Sequence, residues 1–147
     1  MPVVTLPLGG DGAIVSVLLH LSGPRQQALR AAGQPIPPPV VGRGLIDTGA
    51  SSTAIDPSVI QSLGLLPRGT INILTPSTGA VPHVCNQYDI SLIILMTPPQ
   101  FHVASLTIPV VESQLLNQGI HALIGRDVLS NGMFVYNGKA NTISIAF

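Results

Sequence analysis

The chain has 147 residues, of which 46% are hydrophobic and only 8% charged, with six basic and six acidic side chains giving a formal net charge of zero. One hydrophobic core over residues 1–147 suits that length, and so balanced and sparse a charge offers no footprint for nucleic acid or anionic lipid. The longest unbroken apolar run, Leu92 to Met96, is far short of the roughly 18 residues a spanning helix needs, so neither a membrane nor a nucleic acid is an expected partner.

A mean hydropathy of +0.51 predicts strands buried on both faces together with an oligomer that hides apolar surface. Cys85 is the single cysteine, which excludes an internal disulfide and fits a reducing compartment. The opening MPVVTLPLGGDG has neither a basic segment nor a compact apolar one, so no secretory signal is expected and the location is read as cytoplasmic. Cys85 itself reads as a small half-buried hydrophobe.

Prolines and glycines cut the chain into short segments rich in Val, Ile, Leu and Thr, the punctuation of an all-β protein. Ala13–Leu21 follows an Asp-Gly turn and reads as a strand. Residues 22–39 read as a Pro-rich inserted loop, with at most one helical turn before Gly33 and an extended polyproline stretch from Gln34 to Pro39. VVGRGLI, from Val40 to Ile46, is a strand that runs into Asp47, and STAI leaves that turn as another. Asp56, Pro57 and Gly64 then supply an N-cap, a first-turn proline and a stop for a short helix. From Gly69 to Leu95 two strands surround a Pro-Ser-Thr-Gly tip, a long hairpin. TPPQFHVASLTIPVV supplies further strands, ESQLLNQG a helical turn ending at Gly119, IHALI a buried strand and GRDVLSNG a short helix. Asn137-Gly138 between apolar runs predicts a terminal hairpin.

The chemistry narrows by elimination. The chain has no GxxxxGK phosphate loop, GRGLID does not fit GxGxxG, and GASST lacks the second glycine of a nucleophile elbow. His20, His83, His102 and His121 are widely separated and form no HExxH or CxxC…H unit, so each reads as a strand-face or loop histidine and no metal is expected. Asp47 stands out because a strand that serves only the core has no need to end in an acid. An Asp-Thr-Gly turn presents a carboxylate rigidly, with a hydroxyl to hydrogen-bond sideways at Thr48 and close backbone approach at Gly49. The same residues also suit a plain Asx-turn.

A second motif tips the balance. LIDTGAS and, further on, LIGRDVL together resemble the retroviral-type aspartic proteases, the retropepsins, over about Val40 to Leu129. ASSTAID after the aspartate looks closer to cellular and bacterial members than to viral ones. The resemblance implies a closed, all-β retropepsin-like acid-protease barrel with one or two short helices, working as a homodimer. In it Asp47 is catalytic; Thr48, Gly49, Ala50, Ile124, Gly125 and Arg126 support the active-site loop; and Thr75, Pro76, Ser77, Thr78, Gly79 and Ala80 form a substrate-binding flap. One carboxylate must take a proton from water while another polarises the scissile carbonyl, and a pair about 3 Å apart shares one proton. With a single DTG, the second acid has to come from a symmetry mate. Asp127 reads instead as a first-turn acid favoured by the helix dipole, and Asp56 as a cap.

The expected activity is therefore that of a homodimeric aspartic endopeptidase acting on peptide or protein substrates without a cofactor. Its rivals are a non-cleaving peptide-binding or dimerisation module on the same fold, a structural all-β subunit, and a piece of a larger fusion. One departure concerns Arg126: viral members carry an aspartate two positions after the motif glycine as its partner, and here Ser51 occupies that position.

Overall fold

The computed structural model describes residues 3–74, 79–95 and 102–147. In chain order the strands are β1 (Val3–Pro7), β2 (Ile14–Leu21), β3 (Val40–Ile46), β4 (Ala54–Ile55), β5 (Gly69–Ile73), β6 (His83–Leu95), β7 (His102–Glu112), β8 (Ala122–Ile124), β9 (Met133–Asn137) and β10 (Thr142–Ala146). Three helices, α1 (Gly23–Ala31), α2 (Pro57–Leu63) and α3 (Arg126–Leu129), and a 3-10 turn at Leu116–Gln118 lie between them.

Six strands close on themselves. β2 pairs with β3, β3 with β8, β8 with β4, β4 with β7, β7 with β6, and β6 returns to β2. The thirteen residues of β6 make closure possible, because its second half, Ile90–Leu95, pairs with β2 while its first half, His83–Gln87, carries β5. Closure also removes the open edges that a long apolar strand would otherwise present. Two of the pairings, β3 with β8 and β4 with β7, are parallel. A smaller sheet of order β1-β10-β9 is built from the chain ends.

Alternation drives the packing. Val15, Val17, Leu19 and Leu21 on β2 and Tyr88, Ile90, Leu92 and Ile94 on β6 are buried at every second position, as the strand period of two requires. They share one core with Val4, Ile143 and Ile145 of the smaller sheet. Truncating Leu92 to alanine in such a site costs about 2–5 kcal/mol. A second cluster, Ala54, Cys85, Val111, Leu115 and Ile120, lies beneath the site described below.

The fold is the expected mostly-β barrel, and its local departures have physical causes. Where a loop with a single helical turn is expected, α1 runs for nine residues. Ser22 caps it by accepting from the Arg25 amide, and a proline sits in its first turn. No α1 residue is buried, so the segment has no apolar periodicity to announce it and rests on its cap, on good helix formers and on Gln26, whose Nε2 reaches His20 Nδ1 and the Leu21 carbonyl. STAI contributes only the two residues of β4, because Thr53 is diverted into the site. The segment after Leu95 provides one strand, β7, among the described residues. β1 has no local signal and exists through its pairing with β10. The terminal hairpin forms, but its connection is Gly138–Asn141, with Asn137 Oδ1 accepting from the Ala140 amide and Asn141 in the left-handed region. Helix α2 forms as expected, with Asp56 capping it and Gly64 closing it in the left-handed conformation.

Candidate active site

β3 ends at Ile46, in parallel register with Ile124 of β8. The Asp47 amide continues that pairing by donating to the Ile124 carbonyl at 2.9 Å. The carboxylate that follows is half-buried, and its Oδ1 accepts from the Gly49 amide at 2.8 Å. A Cβ on Gly49 would sit 3.0 Å from that same oxygen, so a side chain there would crowd the acid it braces. The Ala50 amide closes the turn on the Asp47 carbonyl at 3.3 Å.

The second motif crosses the first. The Arg126 amide donates to the Ala50 carbonyl at 2.9 Å and its guanidinium Nη1 to the Thr48 carbonyl at 2.8 Å. With Ser51 exposed, the partner of Arg126 is therefore a backbone oxygen of the loop, and it forms no ion pair among the described residues. Gly125 passes so close behind the loop that a Cβ would lie 2.7 Å from the Ser52 carbonyl carbon, which explains why the motif has glycine there. The Thr48 side chain is exposed.

Thr53, which the sequence did not single out, and Asp127, which it read only as a first-turn acid, complete the clamp. Thr53 is fully buried; its Oγ1 donates to Asp127 Oδ1 at 2.7 Å and accepts from the Gly125 amide at 3.1 Å. Its own amide reaches Asp127 Oδ2 at 2.9 Å. Asp127 does stand in the first turn of α3 and accepts from the Val128 amide, but a four-residue helix has little dipole to complement, and the acid serves chiefly as the anchor of Thr53. Charge-assisted bonds of this kind are worth about 1.5–3 kcal/mol each. The contact spans 74 positions in sequence, so no local pattern could have announced it.

Asp56, nine positions beyond Asp47, is a buried cap. It accepts from the Ser58 amide at 2.9 Å and from the Leu115 and Leu116 amides at 2.8 Å each. Burial pushes its carboxyl upward, but these amides outweigh that and hold it at about 2.

Asp47 opens onto a cleft of about 1110 Å³ whose walls include Ser52, Ile73, His83, Glu112 and Leu123. That exceeds an ordinary small-molecule pocket and suits an extended chain. Cys85 lies on the wall as a small hydrophobe, buried rather than half-buried; burial and then the nearby Glu112 carboxylate push its thiol up, so it is a poor nucleophile. Gly79 and Ala80 lie in an exposed turn leading to β6, while Thr75, Pro76, Ser77 and Thr78 lie outside the described residues. His20 and His121 are taken up by Gln26 and by the Arg43 amide. Among the described residues no three His, Cys, Asp or Glu side chains are grouped to hold a metal ion, and no helix is long and apolar enough to cross a membrane.

The sequence profile of the family described as Aspartyl protease matches residues 38–128. Among solved structures, a retropepsin-like aspartic protease from Rickettsia conorii is similar at 14% identity and a TM-score of 0.54, over 98% of this chain and 90% of that one. The retroviral protease-like domain of Ddi1 from Leishmania major aligns at 14% identity and a TM-score of 0.44, over 92% and 94% of the two chains. No curated protein matches the chain in sequence.

Proposed function

Because the chain belongs to the aspartyl protease family and has the retropepsin-like fold, we propose that it is an aspartic endopeptidase whose active site is shared by two copies. The observation that carries this reading is the half-buried Asp47 carboxylate, held by the Gly49 amide at the edge of a cleft large enough for an extended peptide. Asp47 and its counterpart in the second copy share one proton. The ionised carboxylate removes a proton from the water between them as its oxygen attacks the scissile carbonyl carbon, and the protonated one donates to the carbonyl oxygen. The tetrahedral diol then collapses: the carboxyl that took the water proton gives it to the amide nitrogen, the other carboxylate takes a proton from a diol hydroxyl, the C–N bond breaks, and acid and amine leave the dyad again sharing one proton.

Supporting residues follow from the loop. Thr48, exposed at the turn, braces the same turn of the second copy; Gly49 meets substrate backbone; and Ala50, Ile124, Gly125 and Arg126 hold the loop in place. The connection from Thr75 through Pro76, Ser77, Thr78 and Gly79 to Ala80 serves as the flap. Substrate binds as an added strand, with side chains in apolar pockets. A reducing, cytoplasmic setting suits a chain whose one cysteine is a buried thiol.

Peptidase assays of wild type and Asp47→Asn, alongside sedimentation at assay concentration, test the reading. Wild type should cut peptides as a dimer and lose specific activity on dilution, and the variant should form the same dimer without cutting. An active monomer, or an Asp47→Asn protein that still cleaves, refutes it.

A further inference from the structure

Six acidic side chains are present in the sequence, and among the described residues five of them have partners. Asp11 pairs with Arg43 at 2.9 Å and Asp89 with Arg68 at 2.7 Å. Asp56 caps α2, Asp127 holds Thr53, and Asp47 is braced by Gly49. The sixth, Glu112, ends β7 beside Ile55 in parallel register. It is half-buried and lines the same cleft as Asp47.

Its surroundings define what it can recognise. Among the described residues no lysine or arginine lines the cleft, and none pairs with Glu112. The walls near it are apolar, with Ala54, Val111 and Leu123, or uncharged, with Ser113 and Gln114. Glu112 and Cys85 both line this cleft, and the Glu112 charge adds to burial in pushing the Cys85 thiol up. A carboxylate partly withdrawn from water beside apolar walls is under-solvated, and a cation arriving with its own donors restores what it lost. A lysine or arginine side chain suits both features, its alkyl stem lying along the aliphatic wall and its charged head reaching the acid.

We propose that Glu112 is a specificity-determining residue, selecting peptides that carry a lysine or arginine side chain at the position seated against the end of β7. The inference deepens the peptidase reading above and rests on it for the identity of the ligand. Its logic is electrostatic: with no lysine or arginine lining the cleft among the described residues and His83 its one basic side chain there, an acidic side chain at that position meets the like charge of Glu112, and a neutral one brings it no partner.

The test uses octapeptides of apolar background in which each position in turn is lysine, norleucine or glutamate. kcat/KM is measured with wild type, Glu112→Gln and Glu112→Lys, and equilibrium binding is followed by fluorescence anisotropy with wild type, Asp47→Asn and the Glu112 variants. One position should favour lysine over norleucine by about tenfold in wild type. That ratio should fall to about one in Glu112→Gln and turn toward glutamate in Glu112→Lys. No lysine preference in wild type, or a preference that survives Glu112→Gln, overturns the proposal. If wild type cuts none of the peptides, the peptidase reading fails separately, and anisotropy still decides the role of Glu112. Tighter binding of lysine peptides that is lost in Glu112→Gln supports it, and equal or absent binding refutes it.

Discussion

Asp47 and Asp56 each follow a strand that ends beside the same cleft, yet the fold treats them in opposite ways. Asp56 is 3% exposed and accepts from three backbone amides, two of them from the segment just after β7. Asp47 is half-buried, opens onto the cleft, and accepts from one amide two residues away. A carboxylate surrounded by protein donors is committed to architecture, because removing it orphans every donor at once. A carboxylate that, among the described residues, is held by one local bond has lone pairs left for a ligand. Donor count and burial, rather than residue type, thus separate the two acids.

The contrast is sharpest in mutation. Asp47→Asn should lower peptidase activity by about 10²–10⁴-fold or more while leaving the urea midpoint near that of wild type. A large stability loss in that variant would mean that Asp47 is architectural after all. Asp56→Ala should do the reverse, lowering unfolding free energy by about 3 kcal/mol, read from urea denaturation at fixed protein concentration because a dimer's stability depends on it. Stability unchanged within error would erase the distinction.

Thr53→Val tests the clamp that separates the two acids. It removes the hydroxyl that joins Gly125 to Asp127 while keeping the side chain's shape, so it should cost about 1–3 kcal/mol and reduce kcat more than KM, since the Asp47 loop is loosened and the cleft walls are not. Equal changes in both constants would point to the walls instead.

The smallest expected effect is in acid. The carboxyl of Asp56 lies at about 2 in the folded chain against an ordinary 3.8, so it binds fewer protons folded than unfolded. Its contribution to stability is therefore complete above about pH 4 and is lost as pH falls from there through about 2. The difference in unfolding free energy between wild type and Asp56→Asn should shrink across that window. A difference constant from pH 6 to pH 2 would show that the three amides do not favour the ionised form.

Local chemistry made much of this legible. Asp56, Pro57 and Gly64 delimit α2 because a cap, a fixed φ and a left-handed stop act within a few residues. The alternation in β2 and β6 announces strands for the same reason. LIDTGAS and LIGRDVL located the candidate loop and its clamp, since each is a contiguous run whose backbone needs are local.

What escaped was decided across the chain. α1 has no fully buried residue and packs only Leu29 against the core, so it leaves no periodic trace, and β1 is a strand only because β10 offers it an edge. Arg126 finds the Thr48 carbonyl, Asp127 finds Thr53, and Glu112 reaches the cleft that Asp47 opens onto. Each of these depends on parallel pairings, β3 with β8 and β4 with β7, that bring together segments far apart in sequence. Residue types and their spacing determined which acid could do chemistry. Only closure of the barrel decided which acids were bound into the fold and which were left facing the cleft, because a carboxylate's role depends on the donors that tertiary packing brings to it.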